Sequence, residues 1–189
     1  MMASLHPWAS DLSEIHAQVW ARVLRGVHDR RAPTRHPTMA TVTPDGRPQV
    51  RTVVLRAADK QASSLKIHTD LHSTKVTELI STPFASLHVW DTAAHLQLRL
   101  EANVTILKGE EVAEIWTRVP EASRSSYGGR PAPGQPIPEA LAYNKVPDPA
   151  SFAVLQLSVH TIDVLHLGQR HRRARFERSA NWEGVWLSP

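Results

Sequence analysis

The sequence predicts a mainly β fold, an antiparallel barrel or sandwich with flanking helices. Six or more short segments alternate with period two, most of them in hairpin-like succession. Strands alternating regularly with long helices are missing, which disfavours a doubly wound parallel sheet. Only the N-terminal segment carries a long helical repeat.

That helix spans residues 11–27. Leu12, Ile15, Val19, Trp20, Val23, Leu24 and Val27 recur at helical spacing, so one face is apolar. Asp11 is placed to cap it, with Glu14 as the partner of a capping box. Thr38 to Thr43 then reads as a strand, Pro44 to Pro48 as a turn, and Gln49 to Ala57 as the returning strand of a hairpin. A polar stretch leads to a strand at Leu65–Thr69. Ser73–Ile80 reads as a short helix capped by Ser73. Phe84–Trp90 and Leu96–Leu107 are two more strands, and 110–119 is helical. Residues 120–150 are rich in Pro, Gly and Ser, too long for an ordinary connection, and read as functional or partly mobile. The chain returns to strands at Phe152–Leu157, Thr161–Leu167, Arg172–Phe176 and Gly184–Leu187. The expectation is one domain over residues 1–189.

The 189 residues are 41% hydrophobic and 21% charged, ordinary values for a chain that buries a core. A net charge of +4 is too mild to argue for nucleic acid, but suits an anionic small ligand. Cysteine is absent, which excludes thiol nucleophiles and cysteine-held metals. Eleven histidines invite a metal site, but their spacing argues against one. Met1–Ser10 carries no secretory pattern and no window is apolar enough to span a membrane, so a soluble, cytoplasmic protein is expected. The usual dinucleotide, phosphate-loop, G-x-S-x-G and H-E-x-x-H motifs do not occur.

Three segments carry candidate chemistry. Arg51-Thr52-Val53-Val54-Leu55-Arg56 is a strand with a guanidinium at each end. His68-Thr69-Asp70-Leu71-His72-Ser73-Thr74-Lys75 joins a strand end to a helix start. Gln97-Leu98-Arg99 lies in a central strand. A phosphate monoester is held by Arg and Lys together, by hydroxyls, and by free N–H groups at a helix start. Arg51, Ser73 and Lys75 offer that set if the Arg51 strand pairs beside the strand ending at Thr69. Taken singly, each of these residues reads better as a structural or solvated surface residue.

Together, R-x-x-x-L-R, x-T-x-x-x-S-x-K and the Q of Q-L-R-L-E-A resemble the flavin-binding pattern of the pyridoxamine-5′-phosphate oxidases. The closing run R-F-E-R-S-A-N-W-E-G-V-W-L-S-P is similar to that family's tail. The resemblance implies an FMN-binding split barrel that forms a homodimer, with flavin at the subunit interface. It implies that Arg51 and Lys75 bind the flavin phosphate, with Ser73 and Thr69 adding hydrogen bonds. The Thr52, Val53, Val54 and Leu55 backbone would line the ring, and Arg56 would replace the family's lysine. His68 sits where an aromatic residue is common. Gln97, Gln135 and Arg175 would contact flavin; Arg56, His171 and Arg173 would face an anionic substrate.

The departures are Thr74 for a basic residue, Leu165 for a flavin-contacting Trp, and His171 and Arg173 in exchanged places. Tyr127 and Arg130 are the candidates for holding a substrate phosphate. The chain therefore resembles the uncharacterised flavoproteins of the family more than the vitamin B6 enzyme. The expected function is an FMN-dependent oxidoreductase moving a hydride between flavin and a small anionic or amine substrate. A flavin-storage protein is the alternative. A nucleic-acid-binding barrel using Arg170–Arg175 ranks last, since only Phe176 supplies an aromatic beside the cluster.

Overall fold

A computed structural model describes residues 6–189; the reading of Met1–Leu5 as free of a targeting signal lies outside them. Helix α1 spans Leu12–His28. Asp11 Oδ1 accepts the Glu14 N–H at 2.8 Å, so half of the expected capping box forms. Ile15, Val19, Trp20 and Val23 are buried against the sheet, while Leu24 stays exposed. Four such side chains contribute roughly 1.5–3 kcal/mol each, enough to hold the helix down. Gly26 permits a close approach: a Cβ there would lie 2.5 Å from Thr34 Oγ1.

Strands β1 (Thr38–Val42) and β2 (Pro48–Thr52) form the expected hairpin. The expected single strand over 49–57 is instead two. The ladder breaks at Val53–Val54, where the Val53 N–H turns to Pro37 O, and β3 (Leu55–Asp59) pairs with β4 (Ser64–Asp70). Helix α2 (Thr74–Ser81) follows β4. Strands β5 (Phe84–Asp91) and β6 (Leu96–Lys108) pair antiparallel. A 3-10 turn leads to the short helices α3 (Ala113–Arg118) and α4 (Glu121–Arg124). The 120–150 stretch also holds a small ladder of β7 (Gly129–Arg130) and β8 (Asn144–Lys145).

The two strands expected at 152–157 and 161–167 are one, β9 (Phe152–His166). The register shift opposite Glu101 and Ala102 leaves His160 as an extra, bulged residue. Its polar neighbours hid the continuity. Strands β10 (Arg172–Glu177) and β11 (Gly184–Leu187) complete the sheet, ordered β11-β10-β9-β6-β5-β1-β2. β6 follows β9 along one edge. The other edge is divided: β4 takes residues 152–158 and β10 takes 161–166.

The core sits between α1 and the inward face of this antiparallel sheet, with Met39, Leu98, Leu155, Ile162 and Phe176 wholly buried. Trp8 and Trp182 pack onto it, whereas Trp186 is exposed. A smaller cluster of Trp116, Tyr127 and Phe152 lies under the 120–150 stretch. Among the described residues no helix is long and apolar enough to cross a membrane.

Candidate flavin site

Lys75 Nζ donates to Thr69 Oγ1 and Ser73 Oγ, both at 3.0 Å. Ser73 occupies the N-cap position of α2, but its hydroxyl does not cap the helix. It donates to Asp70 O at 2.8 Å instead, so the first-turn amides have no side-chain partner. Thr69 and Ser73 are buried. Burial pushes the Lys75 ammonium below its usual range, and the Arg51 charge adds to this; Asp70 and Glu78 oppose it. Arg51 and Lys75 therefore share one electrostatic neighbourhood.

They meet by a route the sequence did not show. β2 is an edge strand paired with β1, so Arg51 does not lie beside β4. Helix α2 closes the gap instead. Arg51 Nη2 donates to the buried Glu78 Oε2 at 2.7 Å, and Arg51 Nη1 and Glu78 both bond Thr41. Glu78 and Thr41 were missed. The available signal was Glu78 beside the buried Leu79, one helical turn after Lys75.

Arg56 is separated from Arg51 by the ladder break, so the two do not end one strand. The register shift between Leu55 and Ala57 makes Arg56 a bulge residue on β3. Bulges re-aim side chains beside functional sites. A cavity of about 370 Å³ opens here, lined by Arg56, Lys66, His68, Ile115, Arg118 and Val119 among others. His68 meets Phe152 edge-on, centroids 5.0 Å apart. Burial, helped by Arg56 and Lys66, lowers the His68 pKa to about 4, so the ring is neutral at pH 7. Tyr127 is buried against Phe152, and burial raises its hydroxyl, with the adjacent Arg56 opposing. Arg130 is not beside Tyr127's ring: it lines a separate hollow with His72 and Asp148. Thr52 is exposed, Val53 and Leu55 are buried, and Val54 is half-buried.

Gln97 lies at the far end of β6, opposite Trp90 and Leu165. Arg175 pairs across from Asp163, and its guanidinium bonds Glu177 at 3.2 Å. Arg173 and Arg99 both bond the buried Asp163, each at 2.9 Å. Burial pushes the Asp163 carboxyl up, but these two partners outweigh it and hold the pKa below the ordinary carboxylate value. His171 is exposed in the turn before β10.

The basic pocket expected from Arg56, His171, Arg173 and Arg175 is therefore not assembled within one chain. Thr69 pairs with Ala153 and Gln97 with Leu165, twelve residues further along β9. At about 3.3 Å per residue that is roughly 40 Å of strand. Gln135, by contrast, is close to the phosphate cluster in the fold: its neighbour Gly134 passes Thr74, with a Cβ position 3.7 Å from Thr74 Cγ2. Among the described residues no group of three or more metal-ligating side chains is placed to hold an ion.

Residues 8–108 match the family model described as pyridoxamine 5′-phosphate oxidase, FMN-binding domain. The chain belongs to this family. FMN is thus its cofactor, and the buried hydroxyls with Lys75 and Arg51 are a donor set that fits a phosphate monoester. Among curated relatives of the family, pyridoxine/pyridoxamine 5′-phosphate oxidase 2 of Arabidopsis thaliana is 27% identical over 92% of this chain and 96% of its own. The pyridoxine/pyridoxamine 5′-phosphate oxidase of Sinorhizobium fredii is 29% identical over 80% and 81%. In fold, the chain is similar to a pyridoxamine 5′-phosphate oxidase-related FMN-binding protein of Nostoc punctiforme (TM-score 0.73, 24% identity, covering 98% and 99%). It is also similar to PhzG of Burkholderia lata, solved with tetrahydrophenazine-1-carboxylic acid (TM-score 0.70, 20% identity, 98% of each chain). Such pyridoxamine-oxidase-like structures are split barrels, which is the fold class of this chain.

Proposed function

We propose that the protein is a cytoplasmic, homodimeric FMN-dependent oxidoreductase acting on a small anionic or amine-bearing molecule. The observation that carries the two-chain site is the separation of its halves along β9. Thr69 pairs with one half of the strand and holds Ser73 and Lys75 beside it, while Gln97 and Arg175 lie by the other. This separation supports the reading that the Gln97–Arg175 face of one protomer completes the site of its partner.

FMN supplies the hydride chemistry when bound; the chain's own residues do the rest. Lys75 and Arg51 neutralise the phosphate, and Thr69, Ser73 and the first-turn amides of α2 direct it. Arg51 exchanges part of its bond with Glu78 to do so. The Thr52–Leu55 backbone runs between Arg51 and Arg56 and would line the ring. Arg56, Lys66 and Arg118 attract an anionic substrate to the cavity. Neutral His68 holds a single ring proton beside it, and Phe152 keeps water from its buried face.

The supporting test is release and identification of bound flavin, with size-exclusion chromatography. Lys75→Ala and Arg175→Ala should each weaken FMN retention, and mixed dimers of the two should regain one intact site. A monomer that binds FMN as tightly as the dimer would refute the shared site. Flavin storage is the second reading, favoured by one observation: Asp163 occupies Arg173, a candidate substrate contact. Bleaching of the bound flavin by a candidate amine or a reduced nicotinamide separates turnover from storage.

A further inference from the structure

Asp70 sits inside the phosphate turn yet faces away from it. Its carboxylate is buried. Oδ1 accepts the His72 N–H at 2.8 Å, and Oδ2 accepts the Gly128 N–H at 2.8 Å, across 58 residues of chain. Its carbonyl accepts the Ser73 hydroxyl at 2.8 Å and the Thr69 hydroxyl at 3.3 Å. One residue thus holds both hydroxyls that Lys75 addresses and the start of the 128–148 excursion.

The other end of that excursion is closed on the same turn. Asp148 N donates to Tyr127 O at 3.1 Å, Asp148 Oδ2 accepts the Ser151 hydroxyl at 3.0 Å, and Leu71 N donates to Ser151 O at 2.8 Å. Gly128 allows the closure. It has a φ of +107°, and a Cβ there would fall 2.3 Å from Val146 O. Tyr127, one residue earlier, packs on Phe152 with its hydroxyl beside Arg56. Bonds therefore run from Lys75 through Asp70 to Gly128, one residue from Tyr127, whose hydroxyl feels the Arg56 charge.

We propose that Asp70 is a positioning residue that couples occupancy of the phosphate turn to the 127–148 excursion, and through Tyr127 to Arg56. The inference rests on the reading of this turn as the flavin-phosphate site. A phosphate draws the Thr69 and Ser73 hydroxyls off the Asp70 carbonyl. The turn then orders around the anion, and the Asp70 carboxylate carries that ordering to Gly128.

The test is hydrogen exchange of the Gly128 amide in the intact protein, free, with FMN, and with riboflavin, which lacks the phosphate. FMN should slow exchange roughly tenfold, the size of a typical coupling between sites, and riboflavin should not. In Asp70→Asn the amide NH2 cannot accept from both N–H groups, so the FMN effect should fall below about twofold. Thermal melting checks that the variant folds, and the wild-type comparison of FMN with riboflavin stands without it. FMN-loaded wild type with unchanged Gly128 exchange overturns the coupling, as does full protection in a folded Asp70→Asn protein. Failure of wild type to take up FMN at all, read by flavin fluorescence, overturns the site and the coupling together.

Discussion

The two halves of β9 carry the same kinds of side chain to opposite effect. Beside residues 152–158, Lys75 is met by neutral hydroxyls, which leaves its charge available to an incoming anion. Beside residues 161–166, Arg99 and Arg173 close on the buried Asp163, which spends their charge within the chain. Cation count does not identify a binding site; the partner of each cation does. By that criterion Lys75 is poised for a ligand, Arg51 must first loosen its bond to Glu78, and the far end is built mainly to hold its own strands in register.

The sharpest way to break this comparison is to remove the poised charge. Lys75→Ala should lower FMN affinity by about 30- to 100-fold, the worth of a charge-assisted hydrogen bond of roughly 2–3 kcal/mol. Riboflavin affinity should hardly move; fluorescence quenching titrations read both. At the far end the effect should appear in stability instead. Asp163→Asn leaves two guanidiniums short of a partner and should cost about 1–3 kcal/mol by chemical denaturation, less than a fully buried pair because both arginines reach solvent.

Acid tests both ends together, since half-buried His68 lies beside one half of β9 and buried His166 ends the other. His68 and His166 have pKa values lowered to about 4 from 6.5, both first by burial. The unfolded chain then binds more protons than the folded one across this window. Stability is complete above pH 6.5 and lost as pH falls towards 4, by at most about 2 kcal/mol per ring at pH 5. Urea midpoints at pH 7 and pH 5 should show the loss, and His68→Phe should reduce it. The smallest effect on folding is expected from Arg175→Ala. Its pair with Glu177 is exposed and worth under about 0.5 kcal/mol, so any fall in FMN retention tests the proposed contact across a dimer rather than folding.

Much of the fold was legible because alternation and turn chemistry are local. The hairpin of β1 and β2, the β5–β6 pair and α1 all follow from it. Val53-Val54 reads as strand because both residues are β-branched, yet the in-register partner of Val53 is Pro37, which accepts its N–H but has none to return, and the ladder ends. His160 reads as a gap because no local pattern marks a bulge. The meeting of Thr69, Ser73 and Lys75 was legible as a spaced motif. Its counter-ion Glu78, the Asp163 clamp and the Asp70 tether were not, because each joins residues far apart in sequence.

His160 has one more consequence. Before it the odd-numbered side chains of β9 point inward, as at Leu155, Leu157 and Val159; after it the even-numbered ones do, as at Ile162, Val164 and His166. Deleting this one imidazole would leave Val159 opposite Ala102 and Thr161 opposite Glu101 in an unbroken ladder, with Ile162 and Val164 still facing inward. What the extra residue supplies is a bend and added twist in the longest strand, at the point where its divided edge passes from β4 to β10.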